Sequence, residues 1–274
     1  MRHMLGIVLG ILCCAALASA QTAEELVAKN LQAKGGVEKI KAIKTLRIRG
    51  KLQQDGFRAE MSQDAKAPDL LRQNFTIQGM SQIVAYDGAT GWQISPFQGR
   101  KDPELLGEDQ LRGVLEDADF YGPLVDYRQK GNKVEYIGHG ELDGDDVYRL
   151  KVTLKNGDII YYDLDPDTSL EIRTEKQMFI RGAVHESVTE LGSYKLVNGV
   201  YFPFSMVSGS KNNPSGRAKI SIDSIEANVS LPDAEFHMPA APPVASPQVH
   251  PEPPAQPGVK PPAPKPPSPK PPQP

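Results

Sequence analysis

Thr45-Leu46-Arg47-Ile48-Arg49-Gly50-Lys51-Leu52 is the stretch on which the fold turns. Leu46, Ile48 and Leu52 recur at every second position and Arg47, Arg49 and Lys51 fill the places between, so a strand built from it is apolar on one face and basic on the other. Such alternation belongs to a half-buried antiparallel strand, because a parallel strand covered on both faces reads as a continuous apolar run. Working outward, the same period recurs over residues 57–63, 70–78, 82–86 and 90–95, with Asp87-Gly88 marking a turn. It resumes over 125–129, 133–141, 148–154, 159–164, 170–178, 183–194, 200–208 and 217–229. A slip of apolar phase between Ile222 and Ile225 predicts a β-bulge. Asn156-Gly157 and Asn198-Gly199 are hairpin signals.

Three segments read as helices. Residues 23–34 place Leu26, Val27, Asn30 and Leu31 at helical spacing behind Thr22, and Glu25 completes a capping box with it. Gly35-Gly36 ends that helix, and a short second one covers 37–44. The third spans 103–118, where Leu106, Gln110, Leu111, Val114, Leu115 and Ala118 recur at three and four, with Pro103 in the first turn. About a dozen strands joined by tight turns, together with helices whose apolar faces need cover, predict a mainly β (α+β) fold. It is a curved antiparallel sheet forming an incomplete barrel, closed by lid helices.

The ends of the chain differ from this core. Met1-Arg2-His3, an apolar run over 5–17 and Ala18-Ser19-Ala20 have the pattern of a secretory signal cleaved after Ala20, which implies an extracytoplasmic protein. Cys13 and Cys14 both lie within the signal, so cleavage leaves no thiol for a disulfide, a metal or a nucleophile. Of the 25 prolines, 17 lie in residues 239–274, where Lys260, Lys265 and Lys270 each precede Pro-Pro. That composition reads as a disordered, polyproline-rich tail, either a solvated spacer or a tether contacting cell wall or a protein groove. The expected organisation is therefore a signal at 1–20, one domain at 21–238 and a tail at 239–274. The signal carries only Arg2, leaving 30 basic and 34 acidic residues after it, and this acidic balance argues against nucleic acid as the partner.

Catalytic signatures are scarce. His185-Glu186-Ser187-Val188-Thr189 begins like a zinc-protease helix, but Thr189 stands where the second histidine is needed and the period there is that of a strand. Asp143-Gly144-Asp145-Asp146 and the acidic run from Asp163 to Asp167 lack EF-hand spacing and read as solvated turns. No catalytic residue, metal site or cofactor is expected. The apolar set Leu46, Ile48, Phe75, Ile77, Trp92, Ile94, Phe97, Leu106, Leu111 and Leu115 is expected to face the concave side, as a filled core or as the lining of a ligand cavity under a lid helix. Arg47 and Arg49 are candidate gate residues, or simply the exposed basic face of their strand.

Tyr86-Asp87-Gly88 with Gly91-Trp92-Gln93-Ile94, the run from Ser193 to Pro203, and Pro232-Asp233-Ala234-Glu235-Phe236 resemble the LolA-like outer-membrane lipoprotein-sorting proteins. Gly35-Gly36-Val37-Glu38-Lys39-Ile40 and the strand from Thr45 to Leu52 share that resemblance, which covers 22–238 and leaves out the tail. It implies a half-barrel of about eleven strands with a helical lid, whose apolar hollow shelters acyl chains in the periplasm. The expected protein is a monomeric, non-enzymatic carrier of lipoproteins or other acylated ligands, served by an inner-membrane donor and an outer-membrane acceptor. A sensor or scaffold that binds protein partners, and an envelope hydrolase, are the alternatives.

Overall fold

The structure, a computed structural model, describes residues 22–240. The signal and all but the first two residues of the tail lie outside the described residues. Two helices come first, α1 (Ala23–Ala33) and α2 (Val37–Ala42). Six strands follow: β1 (Thr45–Gln54), β2 (Phe57–Lys66), β3 (Leu70–Ile77), β4 (Met80–Tyr86), β5 (Gly91–Ser95) and β6 (Arg100–Leu105). After α3 (Glu108–Asp117) come β7 (Lys133–Leu142), β8 (Asp145–Thr153), β9 (Ile159–Leu164), β10 (Glu171–Ile180) and β11 (Ala183–Gly192). The last four strands are β12 (Lys195–Val197), β13 (Val200–Phe202), β14 (Ser205–Ser210) and β15 (Ala218–Ala227).

Thirteen strands form one sheet in the order β6-β5-β4-β3-β2-β1-β15-β14-β11-β10-β9-β8-β7, while β12 and β13 form a separate ribbon. Neighbouring strands pair antiparallel throughout, as at β1 with β2 and β15 and at β10 with β9 and β11. The sheet curls but β6 and β7 remain its edges, so the barrel is incomplete, as strands joined by tight turns with helices to cover them predict. The anticipated bulge is present: Arg49 pairs with Ser224 and Gly50 with Ile222, which leaves Asp223 without a partner.

Three expectations are corrected. The third helix starts at Glu108, because residues 100–105 pair with β5 as an edge strand; Pro103 sits there at no cost, since an edge strand has a side where no N–H is needed. The strand expected at 125–129 is a series of turns that buries Leu124 and Val125, tied by Lys130 to Asp119 at 2.5 Å and by the Asn132 amide to the Tyr127 carbonyl at 2.8 Å. The strand expected at 200–208 is interrupted at Pro203, giving β13 to the ribbon and β14 to the sheet.

The main core fills one half of the concavity. Leu26, Val27 and Leu31 of α1 and Ile40 of α2 pack against Leu150, Val152, Ile160 and Leu164 on β8 and β9, with Leu46, Leu124, Val125 and Val200. The capping box starts α1 as expected, with Thr22 and Glu25 exchanging hydrogen bonds of 3.1 and 3.2 Å. Gly35 ends it at a positive φ, and a Cβ there would lie 2.2 Å from the Gly199 carbonyl oxygen, so this close contact between α1 and the β12–β13 turn requires glycine. Lys34 at the end of α1 also pairs with buried Glu171 at 3.0 Å.

Candidate functional site

Helix α3 bridges the other half of the concavity instead of filling it, and its two flanks are held by different chemistry. Toward β2–β5 the seam is apolar: Leu106, Leu111, Val114 and Ala118 meet Ala65, Leu71, Val84 and Tyr86. Gly91 makes room for it, since a Cβ there would stand 2.6 Å from a methyl of Leu111. Toward β9 and β10 the flank is ionic. Arg112 donates to both carboxylate oxygens of buried Asp158 at 2.8 and 2.7 Å, Glu116 pairs with Lys176 at 2.7 Å, and Asp109 with Arg181 at 2.6 Å.

Open space lies on both sides of this bridge. Outside, between α3 and the segment 119–132, is a groove of about 650 Å³ lined by Leu111, Leu115, Tyr86, Pro123 and Leu154, with charged groups of both signs around them, acidic at Asp69, Glu108, Asp109, Glu116 and Asp119 and basic at Arg112, Lys130 and Lys155. Beneath the helix, Glu116 and Asp117 lie on the side of Lys176 of β10. There a second hollow, of about 310 Å³, is lined by Glu116, Asp117, Tyr162, Thr174, Lys176, Ser187, Thr189 and Ser208. Glu116 and Pro123 border both spaces, and both volumes fall in the range typical of ligand sites.

Strand register assigns the lining of the inner hollow. Thr174, Thr189 and Ser208 stand opposite one another across β10, β11 and β14, and Lys176, Ser187 and Ser210 form the next row. On the facing wall, Gln63 and Gln73 are paired and share a hydrogen bond of 3.1 Å. Burial pushes the Glu116 carboxyl above the ordinary range against the pull of Lys176. Asp117 has an open face but is walled by protein, and this enclosure raises its pKa against Lys176 and a hydrogen bond from Gln73.

The expected cavity residues do not gather at one place. Leu46 lies in the core beside α1, and Ile48, Phe75 and Ile77 are half-buried on the concave face. Leu106 and Leu111 belong to the apolar seam of α3, while Leu115 is 44% exposed and faces the outer groove. Phe97 is exposed on the turn between β5 and β6. Trp92 and Ile94 are on the opposite, convex face, because Gly91, not Trp92, pairs with the inward Tyr86. There the Trp92 indole N–H donates to the Phe236 carbonyl at 2.7 Å, and the buried Leu231 and Phe236 lie near the same end of the chain.

Arg47 and Arg49 share that convex face, on the other side of the sheet from the hollow. Arg47 forms two hydrogen bonds with Asp64, at 2.8 and 3.1 Å, and lies 3.6 Å from Glu235; Arg49 is exposed. His185 is an exposed strand residue of β11. Among the described residues, no group of three or more His, Cys, Asp or Glu is placed to hold a metal ion. Asp163, assigned above to a solvated turn, is buried in β9 between Arg149 at 3.6 Å and Arg173 at 3.0 Å. The residues that the sequence reading missed are the hydroxyl rows, whose signal is three short pairs spaced by two: Thr174 and Lys176, Ser187 and Thr189, Ser208 and Ser210.

No family model and no curated protein sequence matches the chain. Its structure is similar to a LolA superfamily protein from Nitrosomonas europaea, with a TM-score of 0.55 at 12% identity over 80% of this chain and 98% of that one. It is likewise similar to a DUF1329 family protein from Desulfovibrio piger, with a TM-score of 0.54 at 12% identity over 80% of this chain and 98% of that one. A domain from Vibrio parahaemolyticus described as outer membrane lipoprotein-sorting aligns with a TM-score of 0.51 at 13% identity, over 77% of this chain and 97% of that one. The fold is LolA-like.

Proposed function

We propose that this chain is an exported, non-enzymatic binding protein that carries acylated ligands or lipoproteins through the periplasm, with residues 1–20 removed as a signal and 239–274 forming a separate tail. The observation that supports it is that α3 bridges the concavity and leaves an apolar groove along one flank and a hollow beneath. An acyl chain in that groove gains about 0.8 kcal/mol for each CH₂ withdrawn from water, enough for binding without a covalent step.

The two flanks of α3 give the direction of opening. Of its ion pairs toward β9 and β10, Asp109 with Arg181 is exposed and exchanges its partner for water at little cost, whereas the buried Asp158 and Glu116 must be met by water or ligand as they are released. Its apolar seam toward β2–β5 loses stability with every Å² exposed. In this reading helix α3 opens on its ionic side, where a few discrete pairs hold it, and keeps its apolar seam, admitting ligand between α3 and segment 119–132.

Titration with a dansyl-labelled fatty acid tests the reading. Saturable binding is expected, weakened roughly tenfold or more by Leu115→Asp, an exposed position in the groove. No saturable binding by the wild-type protein overturns the carrier function. The partner-binding scaffold has one observation in its favour: the edge strands β6 and β7 carry the exposed Leu105 and Ile137 and offer unpaired backbone to an added strand.

A further inference from the structure

The inner hollow is chemically unlike the groove, and this difference bears on the ligand's polar end. Six positions in two rows across β10, β11 and β14 turn inward, and five of them are Ser or Thr. The convex face of the same strands carries Arg173, Glu175, Gln177, Glu186 and Glu190, several of them in ion pairs. On the outer face these long charged side chains reach one another and cover their strands with ion pairs. Short hydroxyls on the inner face leave the hollow of about 310 Å³ unfilled while lining it with groups that both donate and accept.

We propose that this hollow binds an uncharged, polyhydroxylated headgroup, such as the sugar of a glycolipid, while the acyl chain of the same ligand lies in the outer groove. The inference rests on the carrier reading above. The two spaces share Glu116 and Pro123, so one amphiphile can occupy both around the end of α3. Thr174, Ser187, Thr189 and Ser208 offer hydroxyls on one side. Charge disfavours an anionic headgroup: Lys176 is neutralised by Glu116, and Asp117 adds a further negative charge that repels phosphate.

Calorimetric titration of the full chain with decyl glucoside, decyl phosphate and free glucose, below micelle-forming concentrations, tests this. Decyl glucoside is expected to bind roughly tenfold more tightly than decyl phosphate, and free glucose to give no measurable heat. Thr189→Val combined with Ser208→Ala should reduce that preference to about threefold or less. Ser187→Ala is the substitute if the double variant melts earlier than the wild type. Equal or tighter binding of decyl phosphate, or a preference that survives the substitutions, overturns the headgroup assignment and leaves the carrier reading standing. Failure of both decyl amphiphiles to bind overturns the carrier reading and the headgroup assignment together. Binding of free glucose as tight as that of the glucoside shows a sugar site and overturns the amphiphile.

Discussion

One half of the concavity is plugged and the other is bridged. The plug, α1 and α2 on β8 and β9, is an apolar cluster in which Leu26, Leu150, Val152 and Leu164 are almost fully buried, with hollows of about 250 and 300 Å³ left beside Leu31. The bridge, α3, has one fully formed apolar seam and one ionic flank over open space. The difference shows how a sheet that leaves its barrel open divides its labour. Buried apolar packing is concentrated where helices fill the curve, and a groove of about 650 Å³ opens where a helix only spans it.

The largest test of that division is truncation in the plug. Leu150→Ala removes a fully buried side chain from a packed interface and should cost about 2–5 kcal/mol in urea unfolding. Phe75→Ala, on the half-exposed concave face of the bridged half, should cost well under half of the Leu150 effect. Equal losses would mean that the hollow is part of one continuous core.

Arg112→Ala comes next. It leaves the Asp158 carboxylate, 1% exposed, with only the Asn156 side chain and the Phe179 amide, at a cost of about 1–3 kcal/mol. Hydrogen exchange should accelerate in α3 and remain slow in α1. Uniform acceleration would show that the bridge is not a separate unit.

The smallest effect is in pH. Burial alone raises the pKa of Glu171, but the Lys34 charge, a backbone N–H and the hydrogen bond from Lys34 outweigh it, and the carboxyl is held below its ordinary value. A carboxylate with a folded pKa below its unfolded one adds stability above the unfolded value, near pH 4.3 for glutamate, and loses it as pH falls through the folded value. The plug should therefore weaken in acid below about pH 4.3. Glu171→Gln should be less stable at neutral pH and show a shallower acid limb in melting-temperature scans.

Much of this architecture is legible locally. The capping box at Thr22 and Glu25 and the bulge near Asp223 are set by residues close in sequence, and each is found where local chemistry places it. Pro103 misled because proline suits a first helical turn and an edge strand alike, and only pairing with β5 decides between them. Trp92 misled for a related reason. Strand β5 is buried on both faces, so its alternation of Gly91, Trp92, Gln93 and Ile94 does not say which face is inner; the register with β4 does.

Alternation and capping were thus enough to establish a curved antiparallel sheet with helices to cover it, because period and caps depend on neighbours in the chain. Where α3 lies, which of its flanks is ionic and which small hydroxyls meet beneath it were decided by the tertiary structure alone. Thr174, Thr189 and Ser208 are far apart in sequence and form one row only through strand pairing, and a hollow is a property of what surrounds it, which no single segment encodes.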